Sequence, residues 1–279
     1  MKSPHYNLSY KRFARQSTVW LRLSLLCVVG LNVATLAAAK QTITLDKPII
    51  GADISFVPQE EARGKKYADK GVEADVLSIL KANSFNWIRL RLFVDPTAEN
   101  GYSKEGFCGL EKTLEMAKRI KQAGLHFLLD FHYSDTWADP GKQFTPSSWQ
   151  RYTGSGLEVQ VYRYTQEVLN RFIEEGVRPD MVQVGNEINN GMLWPQGKLP
   201  DGDLKTDTTL DMEPFCVLLR CASAAVRAVD PTIAIMVHIA CGGQHANQWH
   251  FLTRLSAATS NLTSSVNRIT PNTTVRSRN

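Results

Sequence analysis

The sequence predicts an α/β chain on the (β/α)8 barrel plan, carried as about five βα units. Three observations predict it. Apolar runs rich in β-branched residues alternate with helical patterns from residue 48 to about 240. No glycine-rich dinucleotide fingerprint follows the first run, which argues against a doubly wound nucleotide-binding sheet. Polar residues collect at the C-terminal ends of the expected strands, the face on which such barrels hold their chemistry.

The five apolar runs are 49–56, 85–93, 126–133, 181–188 and 233–239. Between them, 72–82 has apolar residues at helical spacing. The pattern 110–123 ends at Gly124 and the pattern 158–175 at Gly176, both natural helix stops. A fourth helix, 214–229, is stopped by Asp230-Pro231. After Asp230 the chain has no Asp, Glu or Lys, and from Thr253 onward it is Thr, Ser, Asn and Arg with scattered apolar residues. That composition reads as disordered over 253–279. A barrel needs three more βα units of about 30 residues each. Only 39 residues follow Ala240. The expectation is an incomplete barrel over 40–252 and an aberrant tail produced by truncation or a frameshift.

The 279 residues are 43% hydrophobic and 21% charged, enough apolar content for a sizeable core. The net charge of +5 comes from Lys2, Lys11, Arg12, Arg15 and Arg22, which sit in a stretch without acids. The body is therefore close to neutral and gives no reason to invoke nucleic acid. Residues 1–39 read as an export signal: a basic region, an apolar run from Leu23 to Leu36, then Ala37-Ala38-Ala39 as a cleavage site. The run is short and interrupted by Ser24, Gly30, Asn32 and Thr35, so no stable membrane span is expected. The expected location is periplasmic, cell-surface or extracellular. Cys108, Cys216, Cys221 and Cys241 show no metal spacing and read as buried thiols.

Glu187 follows a buried strand in Val184-Gly-Asn-Glu-Ile188. A partly desolvated carboxyl there has a raised pKa, as a general acid for a glycosidic oxygen requires. Asn186 beside it can donate to a sugar hydroxyl. The plainer reading makes Asn186 a helix cap with Glu187 at the helix start. A second dense stretch, Leu129–Gln143, holds Asp130, His132, Tyr133, Asp135 and Trp137, which can stack on sugar rings and bind their hydroxyls. A metal site from Asp130, His132 and Asp135 matches no standard ligand motif, and no metal or cofactor is expected. The two arginines on one strand face, Arg89 and Arg91, read as core ion-pair partners, with Asp53 an available carboxylate. Arg91, nearer the strand end, is expected to touch the site. Trp194 is either a loop anchor or a stacking platform.

These pieces together resemble glycoside hydrolase family 53. The matching segments are Gly51-Ala-Asp-Ile-Ser55, Trp87-Ile-Arg-Leu-Arg-Leu92, Leu128-Leu-Asp-Phe-His-Tyr-Ser-Asp135, Trp137-Ala-Asp-Pro-Gly-Lys-Gln143, Val182-Gln-Val-Gly-Asn-Glu-Ile-Asn-Asn-Gly-Met-Leu-Trp-Pro195 and His238-Ile-Ala-Cys-Gly-Gly-Gln244. The resemblance implies an eight-stranded barrel that cleaves β-1,4-galactan or arabinogalactan with retention. It gives Glu187 the acid/base role and places the nucleophile, a second glutamate, at the end of a seventh strand. No acid remains after Asp230 to serve as that nucleophile. The expected activity is therefore impaired; the alternatives are a non-catalytic carbohydrate-binding remnant, an unfolded product, and a barrel hydrolase for another plant polysaccharide.

Overall fold

The computed structural model describes residues 48–199, 211–240, 243 and 245–258. All of them lie in the unit Ala38–Asn279. The expected export signal, Cys241 and residues 259–279 fall outside the described residues. No helix among the described residues is long and apolar enough to cross a membrane.

In chain order the elements are β1 (Gly51–Asp53), α1 (Val57–Ala62), β2 (Ala68–Asp69), β3 (Val72–Glu73), α2 (Val76–Ala82), β4 (Trp87–Leu92) and α3 (Leu110–Gln122). They are followed by β5 (His126–Phe131), α4 (Ser155–Glu174), β6 (Met181–Val184), α5 (Glu213–Val229), β7 (Ala234–Met236) and α6 (His245–Ala258). The five expected strands form one parallel sheet in the order β1-β4-β5-β6-β7. The strands are shorter than the apolar runs that predicted them, because each run continues into the loop that carries polar side chains.

Helix boundaries follow local chemistry. The expected helix 72–82 begins only at Val76, where the Asp75 carboxylate caps Leu77 N and Ser78 N at 2.9 and 3.1 Å. Val72–Glu73 instead pairs antiparallel with Ala68–Asp69. In α4, Leu157, Val161, Thr165, Val168 and Phe172 recur at helical spacing and are buried. Residues 253–258, expected to be disordered, are the last turns of α6. Composition there missed a pair four residues apart, Phe251 and Leu255, both buried, with Phe251 packed on Phe215 of α5.

Strand alternation sorts the sheet into two faces. Ile88, Leu90 and Leu92 join Phe127, Leu129 and Phe131 and the helices in the main core. On the other face Trp87, Leu128, Met181 and Ala234 form a separate apolar layer. Two residues further along the same faces stand Arg89, Asp130 and Gln183. The inner face is thus apolar at the N-terminal end and polar at the C-terminal end.

Candidate active site

Arg89 is the centre of the polar layer. Its guanidinium lies 2.5 Å from Asp53 Oδ2 and 2.7 Å from Asp130 Oδ2, and donates to Asn186 Oδ1 at 2.8 Å and Gln183 Oε1 at 3.1 Å. Three strands and the loop after β6 are held by one planar cation, a geometry suited to arginine. The register explains the reach: Asp53 pairs directly with Arg89 across β1 and β4.

Asp130 is fully buried, and His132 Nε2 stands 3.0 Å from its Oδ2. Neither this contact nor the one from Arg89 is aligned as a hydrogen bond, so both Asp130 oxygens lack a well-directed donor. Burial alone would raise the Asp130 carboxyl, but the facing His132 and Arg89 hold it below the usual carboxylate range. His132 Nδ1 accepts the Ala138 N–H at 3.1 Å, which places the ring proton on Nε2, towards Asp130.

Glu187 sits just past β6. Gly185, at φ +84°, makes the turn; a Cβ there would lie 2.7 Å from Ile188 Cγ2. Glu187 itself is left-handed, at φ 49° and ψ 46°, an uncommon state for a side-chain-bearing residue. It precedes a short 3-10 turn over Ile188–Asn190, and its carboxyl makes no capping bond. Asn186 is not a cap either: its Nδ2 donates to Ala138 O at 2.8 Å and its Oδ1 accepts from Arg89. Burial raises the Glu187 carboxyl, the Asp139 charge adds to this, and His132 and Arg89 oppose it. Behind it, His238 Nδ1 faces the Glu187 N–H at 3.4 Å. Burial, then Arg89, lowers the His238 pKa.

Arg91 lies at the border of this cluster, 3.5 Å from Asp53 Oδ1 with its guanidinium 4.0 Å over the Trp137 ring. Phe93, Tyr102 and His132 contact the same indole, which is 40% exposed. Trp137 is therefore a partly exposed indole propped by three rings, with Arg91 over its ring.

Two expected site residues are placed elsewhere. Tyr133 is buried in the main core, stacked on Phe131, with its hydroxyl 2.8 Å from Thr165 Oγ1. Its odd parity relative to Asp130 and His132 turns it to the helix side. Asp135 staples the loops: its carboxylate accepts Asp95 N at 3.1 Å and Ser147 N at 2.8 Å. Arg89, read as a core ion pair, is the hub of the site; Gln183, Gln143 and His238 were not anticipated. Gln183 shares a strand with Glu187's run and follows from alternation, as does His238, on the same parity as Ala234 and Met236; Gln143 lies in a loop without a periodic signal. Trp194 acts as a loop anchor, with Nε1 donating to Asn190 O at 3.0 Å and Lys198 over its ring.

The cluster lies at the C-terminal ends of parallel strands, the face on which α/β barrels hold their chemistry. Residues 49–263 match the family model of glycosyl hydrolase family 53. The chain belongs to glycosyl hydrolase family 53. A protein of Niallia circulans is 44% identical over 210 residues, covering 75% of this chain and 55% of its own length. The probable arabinogalactan endo-β-1,4-galactanase A of Aspergillus fumigatus is 38% identical over 216 residues, 77% of this chain and 56% of its own. The family 53 catalytic domain of Ignisphaera aggregans superposes with a TM-score of 0.67 at 39% identity, over 77% of this chain and 58% of that one. The chain thus spans a little over half the length of the relatives it matches. Its five-stranded parallel sheet is part of the family's (β/α) barrel.

Proposed function

We propose that the chain carries the acid/base half of an endo-β-1,4-galactanase site, with Glu187 as the proton donor to the glycosidic oxygen. The observation that carries this is a partly buried carboxyl on a left-handed residue at a strand end, its pKa raised by burial and by Asp139. Arg89 orders Asp53, Asp130 and Asn186 around it. Trp137 provides the sugar-stacking wall, with Arg91 over its ring, and the buried Asp130, His132 and Asn186 hold the site from behind. The galactan substrate is carried over from the name of the Aspergillus fumigatus relative.

Retention needs a second carboxylate about 5–5.5 Å from the first. No Asp or Glu follows Asp230 in the sequence, and Asp53 and Asp130 are engaged with Arg89. We therefore place the nucleophile outside these residues, so that the chain alone hydrolyses galactan poorly. The same observation favours a second reading, a carbohydrate-binding remnant without catalysis. Export is proposed from the basic and apolar pattern of residues 1–39. Reducing-sugar release from β-1,4-galactan by the chain and by E187Q tests the function. Weak release that E187Q abolishes supports the acid/base reading; binding without release supports the remnant; release unchanged in E187Q contradicts the role given to Glu187.

A further inference from the structure

We propose that Gln143 is a positioning residue for Glu187: its buried amide clamps the two peptides that flank the Glu187 Cα. The inference rests on the acid/base reading of Glu187 and assigns the device that aims it.

Gln143 lies in the loop after β5 and is 1% exposed. Its Nε2 donates to Asn186 O at 2.8 Å, Asp139 O at 3.2 Å and Glu187 O at 3.3 Å. All three partners are carbonyls, which can only accept, so the amide nitrogen must face them. The Asn186 carbonyl belongs to the peptide before the Glu187 Cα and the Glu187 carbonyl to the peptide after it. Holding both fixes φ and ψ of Glu187, and with them the direction of its Cβ. A left-handed residue persists only where its surroundings over-determine it. The main chain adds to the clamp: Gln143 O accepts Trp194 N at 2.7 Å, and Phe144 bridges Trp194. Gln143 thus grips both ends of the loop 186–194.

The same loop reaches Glu187's other neighbours. Ala138 joins His132 Nδ1 to Asn186 Nδ2 through its own peptide groups. The charged and titratable groups around Glu187 are Asp139 from this loop, His132 and Asp130 from the end of β5, Arg89 from β4 and His238 after β7. His238 meets the N–H groups of the same two peptides, accepting Glu187 N–H at Nδ1 (3.4 Å) and Ile188 N–H at its carbonyl (3.2 Å), while Gln143 holds their carbonyls.

The test is an NMR titration of the Glu187 carboxyl carbon in the full chain, assigned by its loss in E187Q, together with the Glu187 Cα and Cβ shifts. Gln143→Met keeps the length of the side chain and removes the donors. The expected result is Cα and Cβ shifts that leave left-handed values, and a titration midpoint that falls by about half a pH unit as the carboxyl relaxes towards water. Gln143→Leu is the second variant, read if the methionine variant does not melt cooperatively. It has neither donor nor charge, so the backbone shifts and the midpoint should move in the same way. Thr165→Val, in the core behind β5, is the structural control; it should lower the Tm and leave Glu187 unchanged. Wild-type shifts and midpoint at Glu187 in a folded Gln143 variant overturn the inference, whatever the Tm does. Hydrolysis is not needed for the readout. A chain that releases no sugar but responds in this way loses its proposed activity and keeps the Gln143 role.

Discussion

Replacing Arg89 by methionine should be the most destabilising single change in the polar layer. The guanidinium holds Asp53 at 2.5 Å and Asp130 at 2.7 Å, and the Asp130 side chain has no exposed surface. Without Arg89, Asp130 keeps only His132 beside it, and neither of its oxygens has an aligned donor. Removing one partner of a buried ion pair costs about 3–5 kcal/mol, because the remaining charge stays desolvated. The surface provides an internal comparison. Arg119 holds Glu61 at 2.6 Å and Asp75 at 2.7 Å, as tightly as Arg89 holds its partners, but the groups are about one-third exposed. Arg119→Met should therefore cost about 0–1 kcal/mol. Urea unfolding at pH 7 measures both. The double variant Arg89→Met/Asp130→Asn removes the orphaned charge and should recover part of the loss. An Arg89→Met cost within about 1 kcal/mol of that of Arg119→Met, or a double variant no better than Arg89→Met, would refute the reasoning.

E187Q should raise the Tm at pH 7 and have little effect at pH 4. A carboxyl with a raised folded pKa contributes its stability below the unfolded value, 4.5, and loses it as the pH rises through the folded value; melts at the two pH values that shift equally would contradict this. Asp230 has the opposite sign, with its folded pKa held down to about 2 by Arg178 and Thr232 against the effect of burial. Its contribution is present above 3.8 and lost as the pH falls towards 2, so Asp230→Asn should flatten the acid limb of a stability–pH curve over that window. Tyr133→Phe should cost about 1 kcal/mol for the lost bond to Thr165, and leave galactan affinity measured by calorimetry unchanged, since the ring faces the helices.

Most of the fold was legible because two periods dominate this chain. Apolar runs rich in β-branched residues marked all five parallel strands, and Gly124, Gly176 and Pro231 marked helix ends. Strand ends were less legible, since apolar residues such as Ile54 and Ile188 continue past the last ladder bond into the loops. In the site, alternation alone would have placed Asp130, His132 and Gln183 inward and Tyr133 outward. Nearness to the strand end singled out Arg91 and left the hub role of Arg89 unread, because it takes no account of the register that sets Asp53 level with Arg89. Gln143 was illegible for a different reason. It acts on backbone groups of the loop after β6, and such contacts leave no trace in the pattern of side-chain types. The helix over 253–258 was hidden because its apolar signal is a single buried pair in a polar background.

The central claim is that Glu187 donates the proton while these residues lack the nucleophile. The most direct measurement is proton NMR of the products formed from β-1,4-galactan with and without sodium azide. Azide can attack the anomeric carbon from the face opposite the leaving group, which departs with the Glu187 proton. The account predicts α-galactosyl azide ends in the presence of azide, none without it, and none in E187Q. New β-configured reducing ends without azide, or azide products undiminished in E187Q, would contradict it.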